Sequence, residues 1–274
     1  DGNRLALRMS EGAGSDIWVH DLQRGGRARL TSGAALNSWP VWTPDGRYVV
    51  FQGTGGMFWT RADGAGEPRP LTQSKTSHVP SSFTPDGTRL AFTELTSSGG
   101  AKIWTVPVAS ASLELRAGEP ELFLEISTVF SFAAFSPDGR WLAYADAESG
   151  SYEVYLRAFP DNGSKVQISN DGGMMPIWSR NGRELFYRTD DQRLMVVDYR
   201  VNGGTFAAEP PRIWSGEPLA NTGLASNFDL APDGERVVVL MPVESPEPRE
   251  MQSHVKIAVN FFEEIRRRLA AQSQ

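Results

Sequence analysis

A tetrapeptide, Ser/Thr-Pro-Asp-Gly, returns along the chain at Thr43-Pro44-Asp45-Gly46, Thr84-Pro85-Asp86-Gly87 and Ser136-Pro137-Asp138-Gly139. Variants stand at Ser179-Arg180-Asn181-Gly182 and Ala231-Pro232-Asp233-Gly234, and the chain opens on Asp1-Gly2-Asn3-Arg4, which reads as the end of a sixth copy. Between successive glycines the steps are 44, 41, 52, 43 and 52 residues. A period of about 40 to 50 residues marks a repeat architecture, in which a unit buries its apolar face only against its neighbours. The tetrapeptide itself predicts a turn. Proline presets φ at the first central position, aspartate bonds the backbone beside it, and glycine takes the positive φ that follows.

Apolar, β-branched and aromatic runs flank each turn, as strands of a hairpin require. Pro40-Val41-Trp42 leads into Tyr48-Val49-Val50-Phe51; Phe83 into Leu90-Ala91-Phe92; Phe135 into Trp141-Leu142-Ala143-Tyr144; Trp178 into Leu185-Phe186-Tyr187; Leu230 into Val237-Val238-Val239-Leu240. A third strand follows at Asp16–Val19, Met57–Thr60, Lys102–Thr105, Glu153–Leu156, Leu194–Val197 and Val255–Ala258, with Trp18, Trp59, Trp104 and Tyr155 read as one recurring aromatic position between neighbouring sheets. Polar edge strands are expected at Arg29–Thr31, Pro70–Thr72, Glu121–Phe123, Val166–Ser169 and Arg212–Trp214. Four short strands per repeat, with no helical repeat between them, make the blade of a β-propeller.

Pro-x-Trp-Ser/Thr-Pro-Asp-Gly-Arg, an apolar strand, Ile-Trp-x-x-Asp and Arg-x-Leu-Thr together resemble the TolB-type, WD40-like propeller repeat of bacteria. The resemblance covers the chain up to about residue 260. It implies an all-β, six-bladed propeller of four-stranded antiparallel blades in a periplasmic or extracytoplasmic compartment. The repeats fall near 1–39, 40–79, 80–130, 131–174, 175–225 and 226–259. The first lacks an innermost strand and the sixth an outermost one, so either the termini complete one shared blade or the chain is a fragment; closure would place Arg4–Met9 in the blade of Val255–Val259 or beside it. Excursions at Ala109–Gly118, Gly203–Pro211 and Pro242–Ser253 read as irregular surface segments.

Asn260–Leu269 predicts a short α-helix ahead of a tail ending at residue 274. It carries an asparagine N-cap, glutamates early, arginines late, and Phe262, Ile265 and Leu269 on one face. Asn260–Arg268 also looks like the end of bacterial serine/threonine kinases that carry extracytoplasmic TolB-type propellers, although no kinase motif stands in this chain.

For chemistry the residues offer little. No Gly-x-Ser-x-Gly elbow is present, so the hydrolase half of a prolyl-oligopeptidase-like enzyme is not in this chain. His20, His78 and His254 lie in separate repeats without metal-ligand spacing, and neither Asp190-Asp191 nor Asn170–Gly173 has the alternating oxygens of a calcium loop. The expectation is no catalytic residue, no cofactor and no metal. Cysteine is absent, so there is neither disulfide nor thiolate chemistry. A net charge of −6 with interleaved signs argues against a nucleic-acid surface, and no apolar run reaches membrane length. Asn162-Gly163-Ser164 fits a glycosylation sequon and, more simply, a turn.

Just before each innermost strand the repeat becomes irregular, at Asn37-Ser38-Trp39, Ser77-His78-Val79, Phe130-Ser131-Phe132, Gly173-Met174-Met175 and Ala225-Ser226-Asn227. In a propeller these segments converge at one mouth of the central channel. Trp39, Phe132 and Met175 would form an apolar rim, with His78 and Asn227 as polar points. They bind a protein, peptide or glycan ligand, or they plug the channel. Two functions fit: a non-catalytic binding domain, such as the sensor of a membrane serine/threonine kinase, or the substrate-gating propeller of a serine peptidase.

Overall fold

The computed structural model describes residues 2–11, 14–33, 35–96, 99–111, 114–129, 131–161, 163–223, 225–234, 236–241 and 256–258. The expected helix at Asn260–Leu269, the excursion Pro242–Ser253 and the sequon residue Asn162 lie outside them. Every regular element among the described residues is a β-strand. The strands form six antiparallel sheets in chain order. The first holds β1 (Arg4–Glu11), β2 (Gly14–Asp21) and β3 (Arg27–Arg29). The second holds β4 (Ser38–Trp42), β5 (Tyr48–Gly53), β6 (Gly56–Arg61) and β7 (Arg69–Pro70). The third comprises β8 (His78–Phe83), β9 (Arg89–Leu95), β10 (Ala101–Ala111), β11 (Glu114–Ala117) and β12 (Glu121–Ile126). The fourth comprises β13 (Ala134–Phe135), β14 (Trp141–Asp146), β15 (Glu153–Ala158) and β16 (Lys165–Gln167). The fifth contains β17 (Met174–Trp178), β18 (Glu184–Arg188), β19 (Leu194–Asn202), β20 (Thr205–Ala208) and β21 (Arg212–Ser215); the sixth contains β22 (Phe228–Leu230), β23 (Val237–Met241) and β24 (Lys256–Ala258). β1 and β24 therefore sit in different sheets.

The repeated turn explains its own composition. Thr43 Oγ1 donates to Asp45 Oδ1 at 2.6 Å and accepts from the Tyr48 amide at 3.1 Å, while Asp45 Oδ1 also accepts from the Arg47 amide at 3.0 Å. Thr84 and Asp86 repeat this geometry, as do Ser136 and Asp138. The hydroxyl and the carboxylate thus satisfy turn amides that the ladder leaves open. The glycines of all five later copies have φ between +67° and +72°. At Gly139 a Cβ would also come into van der Waals contact with Pro85 Cδ in the preceding turn, 3.4 Å away. At Gly2, ahead of β1, a Cβ would stand 2.9 Å from Pro232 Cδ in the last turn, closer than a side chain packs.

A second hydroxyl recurs at the outer edge. Thr31 Oγ1 accepts from the Ile17 amide at 3.0 Å and donates to Asp16 at 2.7 Å; Ser169 Oγ accepts from the Val154 amide at 2.8 Å and donates to Glu153; Thr72 Oγ1 accepts from the Met57 amide at 3.1 Å. That is the role of the threonine in Arg-x-Leu-Thr. It ties the outermost strand to the start of the third.

Five apolar clusters lie between consecutive sheets rather than within one. Two expectations are corrected here. In register with Leu7, Phe92 and Tyr144 stand Trp18, Trp104 and Tyr155, but the residue opposite Phe51 is Phe58, not Trp59. Trp59 is one residue out of phase, so it faces the third sheet while Phe58 faces the first, because alternate strand residues point to opposite faces. The excursions at Ala109–Gly118 and Gly203–Pro211 are not irregular. They extend β10 and β19 into hairpins with β11 and β20, and each buries one apolar side chain against the preceding sheet: Leu115 beside Tyr48 and Trp59, and Phe206 against Trp141 at a ring distance of 5.3 Å.

Gly139→Val should destabilise by about 1–3 kcal/mol through backbone strain and the Pro85 contact, and Gly182→Val by less, since no atom lies within 4 Å of a Cβ at Gly182. Thermal unfolding of the two variants measures the difference. A pH series gives a second test. Hydrogen bonds from the Thr84 hydroxyl, the Thr88 amide and the Thr88 hydroxyl hold the Asp86 carboxyl below the usual range. Its contribution is therefore complete above the ordinary carboxylate pKa of about 3.9 and disappears as pH falls through its lower, folded value. The fall in melting temperature between pH 5 and pH 3 should be shallower in Asp86→Asn than in the parent protein.

Candidate functional site

The innermost strands β4, β8, β13 and β17 contact one another in succession. Three of the five candidate residues stand at their entrances with an unusual backbone. Trp39, Phe132 and Met175 have φ of +56°, +51° and +56°. Bulky side chains rarely occupy this region, and each instance costs on the order of 1–3 kcal/mol. In β4 and β17 the residue lies within a shift of register, between Ser38 and Val41 and between Met174 and Ile177. The extra residue turns the chain into the strand and re-aims the side chain.

The outcome differs among the three. Trp39 and Phe132 are half-buried, and their rings meet with centroids 5.6 Å apart at an interplanar angle of 52°. They belong to the second and fourth sheets, so this contact spans the β8 strand between them. Met175 is buried in the cluster that joins the fifth and sixth sheets, with Phe186, Leu194 and Phe228. His78 is half-buried on the Phe92 ring, with centroids 4.7 Å apart, and its Nδ1 lies 3.4 Å from Thr72 Oγ1. Burial pushes the His78 pKa down, against the opposing pull of the Glu94 charge. Asn227 is fully buried, and its Nδ2 donates to the Ala220 carbonyl at 2.8 Å and to Gln192 Oε1 at 3.3 Å. The structure thus brings Trp39 and Phe132 together, packs Phe132 also against the cluster that buries Met175, sets Asn227 into the packing of the last two sheets, and turns His78 toward the second-sheet edge.

Two residues of this face escaped the sequence reading. Gln192, with φ +67°, holds the glycine position of a disguised turn: Thr189 Oγ1 meets Asp191 at 2.5 Å and accepts from the Arg193 amide at 3.1 Å, as Thr43 and Asp45 do in theirs. The spacing Thr189-Asp190-Asp191-Gln192 carried that signal. Arg188 is the other. It occupies the strand position held by Gln52, Thr93, Ala145 and Leu240 in other repeats, and it is the largest side chain buried below 2% exposure. Among the described residues no group of His, Asp or Glu side chains is arranged to hold a metal ion, and no helix is long and apolar enough to cross a membrane.

No protein-family model matches the chain. It is 23% identical over 218 residues to the uncharacterized protein Atu1656 of Agrobacterium fabrum, covering 73% of this chain and 69% of that protein. It is 24% identical over 200 residues to the uncharacterized peptidase YuxL of Bacillus subtilis, covering 57% of this chain and 30% of the peptidase. Among solved structures it is similar to TolB from Acinetobacter baumannii, with a TM-score of 0.67 at 18% identity over 94% of this chain and 60% of the TolB chain. The architecture is that of the TolB-type β-propellers. The chain spans 60% of that TolB and 30% of that peptidase, so the likeness concerns the fold.

The Trp39–Phe132 contact is measurable on its own. In a double-mutant cycle of Trp39→Ala and Phe132→Ala, unfolding free energies should couple by about 0.5–1.5 kcal/mol, as an aromatic pair does beyond its buried area. Additive losses would mean that the rings do not meet in solution.

Proposed function

We propose that this chain is the partner-binding domain of a larger extracytoplasmic bacterial protein, a closed six-bladed propeller that takes an apolar segment of a protein or peptide partner at one channel mouth and performs no chemistry itself. Closure is supported by Gly2, just ahead of the first sheet, where a Cβ would stand 2.9 Å from Pro232 in the turn of the sixth. The observation that carries the binding reading is the convergence of Trp39 and Phe132 from non-neighbouring sheets, both on left-handed backbone. Plugging a channel needs only apolar volume. Two large rings that meet while still partly exposed offer more, because such anchors bind by completing their desolvation. Met175, His78 and Asn227 then act as the frame of the mouth, fixing the entrances of β17, β8 and β22.

A second reading keeps the propeller as the substrate gate of a serine peptidase, and the similarity to YuxL favours it. The kinase-sensor form of the first reading rests on Asn260–Arg268. The parent reading frame separates the two: a kinase and a membrane helix upstream, or a Ser-His-Asp domain downstream.

Random hexapeptides passed over immobilised protein test the mouth directly. The parent should retain a subset that Trp39→Ala and Phe132→Ala release, each substitution weakening retention by about 30-fold, or on the order of 2 kcal/mol. Melting temperatures should fall little. Retention unchanged by either substitution, with a large loss of stability, would make the pair a plug.

A further inference from the structure

Arg188 ends β18, opposite Met174 in β17 and Leu194 in β19. Its side chain is 1% exposed. Nη2 donates to Met174 Sδ at 2.8 Å and to the Gly223 carbonyl at 3.0 Å. Nε and Nη1 are buried without a hydrogen-bond partner. A thioether is a weak acceptor and a carbonyl is neutral, so neither balances a guanidinium that stays protonated at any physiological pH. The acidic group whose charge reaches Arg188 is Asp190, but no carboxylate among the described residues lies within ion-pair distance. A buried cation in this condition is costly, and Nη2 together with either orphaned neighbour, Nε or Nη1, forms an edge that matches a carboxylate once the Gly223 carbonyl leaves Nη2.

The location connects this fork to the mouth. Met174 precedes Met175, Gly223 is exposed and lies on the segment leading to Asn227, and Asn227 Oδ1 is itself buried without a partner.

Resting on the mouth as a peptide-binding site, we propose that Arg188 is its charge-reading residue: a carboxylate of the bound segment replaces the Gly223 carbonyl on the guanidinium, so that the domain selects segments pairing an acidic group with apolar ones. The carboxylate is either an Asp or Glu side chain or a C-terminus; recognition is the same bidentate pairing in both. Asn227 Oδ1 then accepts from the segment's backbone N–H.

The test uses random hexapeptides in two forms, with free and with amidated C-termini, on the parent protein, Arg188→Gln, Arg188→Met and Trp39→Ala. Acid-bearing peptides should be enriched about tenfold over their Asn and Gln isosteres by the parent protein, and equally retained by Arg188→Gln. Enrichment confined to the free-carboxylate form assigns the C-terminus; enrichment in both forms assigns the side chain. Trp39→Ala should weaken acidic and neutral peptides alike. Without peptide, Arg188→Met should melt at a higher temperature than the parent, because an apolar chain replaces an uncompensated charge. Acidic enrichment that survives Arg188→Gln, or its absence from the parent while Trp39-dependent retention persists, overturns the proposal and leaves the mouth standing. No retained peptide at all overturns both. A lower melting temperature for Arg188→Met would show the charge already compensated, and would equally overturn the assignment.

Discussion

The structure depends on the packing of one turn against the next. A propeller has no continuous core; five clusters lie between sheets, and each sheet is stable only where its neighbour fits. The Ser/Thr-Pro-Asp-Gly turn meets this demand twice. Its hydroxyl and carboxylate close the hairpin internally, and its glycine lies beside the proline of another turn, Gly87 by Pro44, Gly139 by Pro85 and, with no room for a Cβ, Gly2 by Pro232. Where the tetrapeptide degenerates, backbone bonds persist: the Ser179 amide still donates to the Glu184 carbonyl at 2.9 Å, and the Ala231 amide to the Arg236 carbonyl at 2.8 Å. Geometry is kept there after the chemistry has changed.

With the turns holding one face, the opposite face is free to vary. The strand entrances carry Trp39, Phe132 and Met175 on left-handed backbone at equivalent positions, whereas Pro80 in β8 has its φ held negative by its ring. Strain of this kind persists only where surrounding structure over-determines it. Here the surrounding ladder does so: β5 and β18 pair on either side of the irregularities at Trp39 and Met175, and ahead of Phe132 the Ala145 amide donates to the Ser131 carbonyl at 2.9 Å.

Much of the fold was legible in the residues. The turns fall where the repeat places them, and the paired and edge strands begin within a residue or two of the expected positions, although β10, β12 and β19 run three to six residues further. The misreadings are those of local pattern matching. Trp59 was aligned by being a tryptophan, although its neighbour Phe58 holds the shared register. The hairpins β10–β11 and β19–β20 were missed because Leu115 and Phe206 are single apolar residues among polar ones, and one residue makes no periodicity. Gln192 hid a turn because it stands where glycine is usual.

What the sequence by itself determined is the architecture: a turn signal repeated every 40 to 50 residues leaves a chain few ways to hide its apolar strands. What tertiary structure alone decided is which side chains of one register meet. Arg8 and Arg188 occupy the same strand position, yet Arg8 is exposed and Arg188 is sealed at 1% exposure. Trp39 and Phe132 are 93 residues apart and touch across an intervening sheet. Burial and meeting are set by which sheets stand side by side, a property of the assembled packing that no single repeat contains.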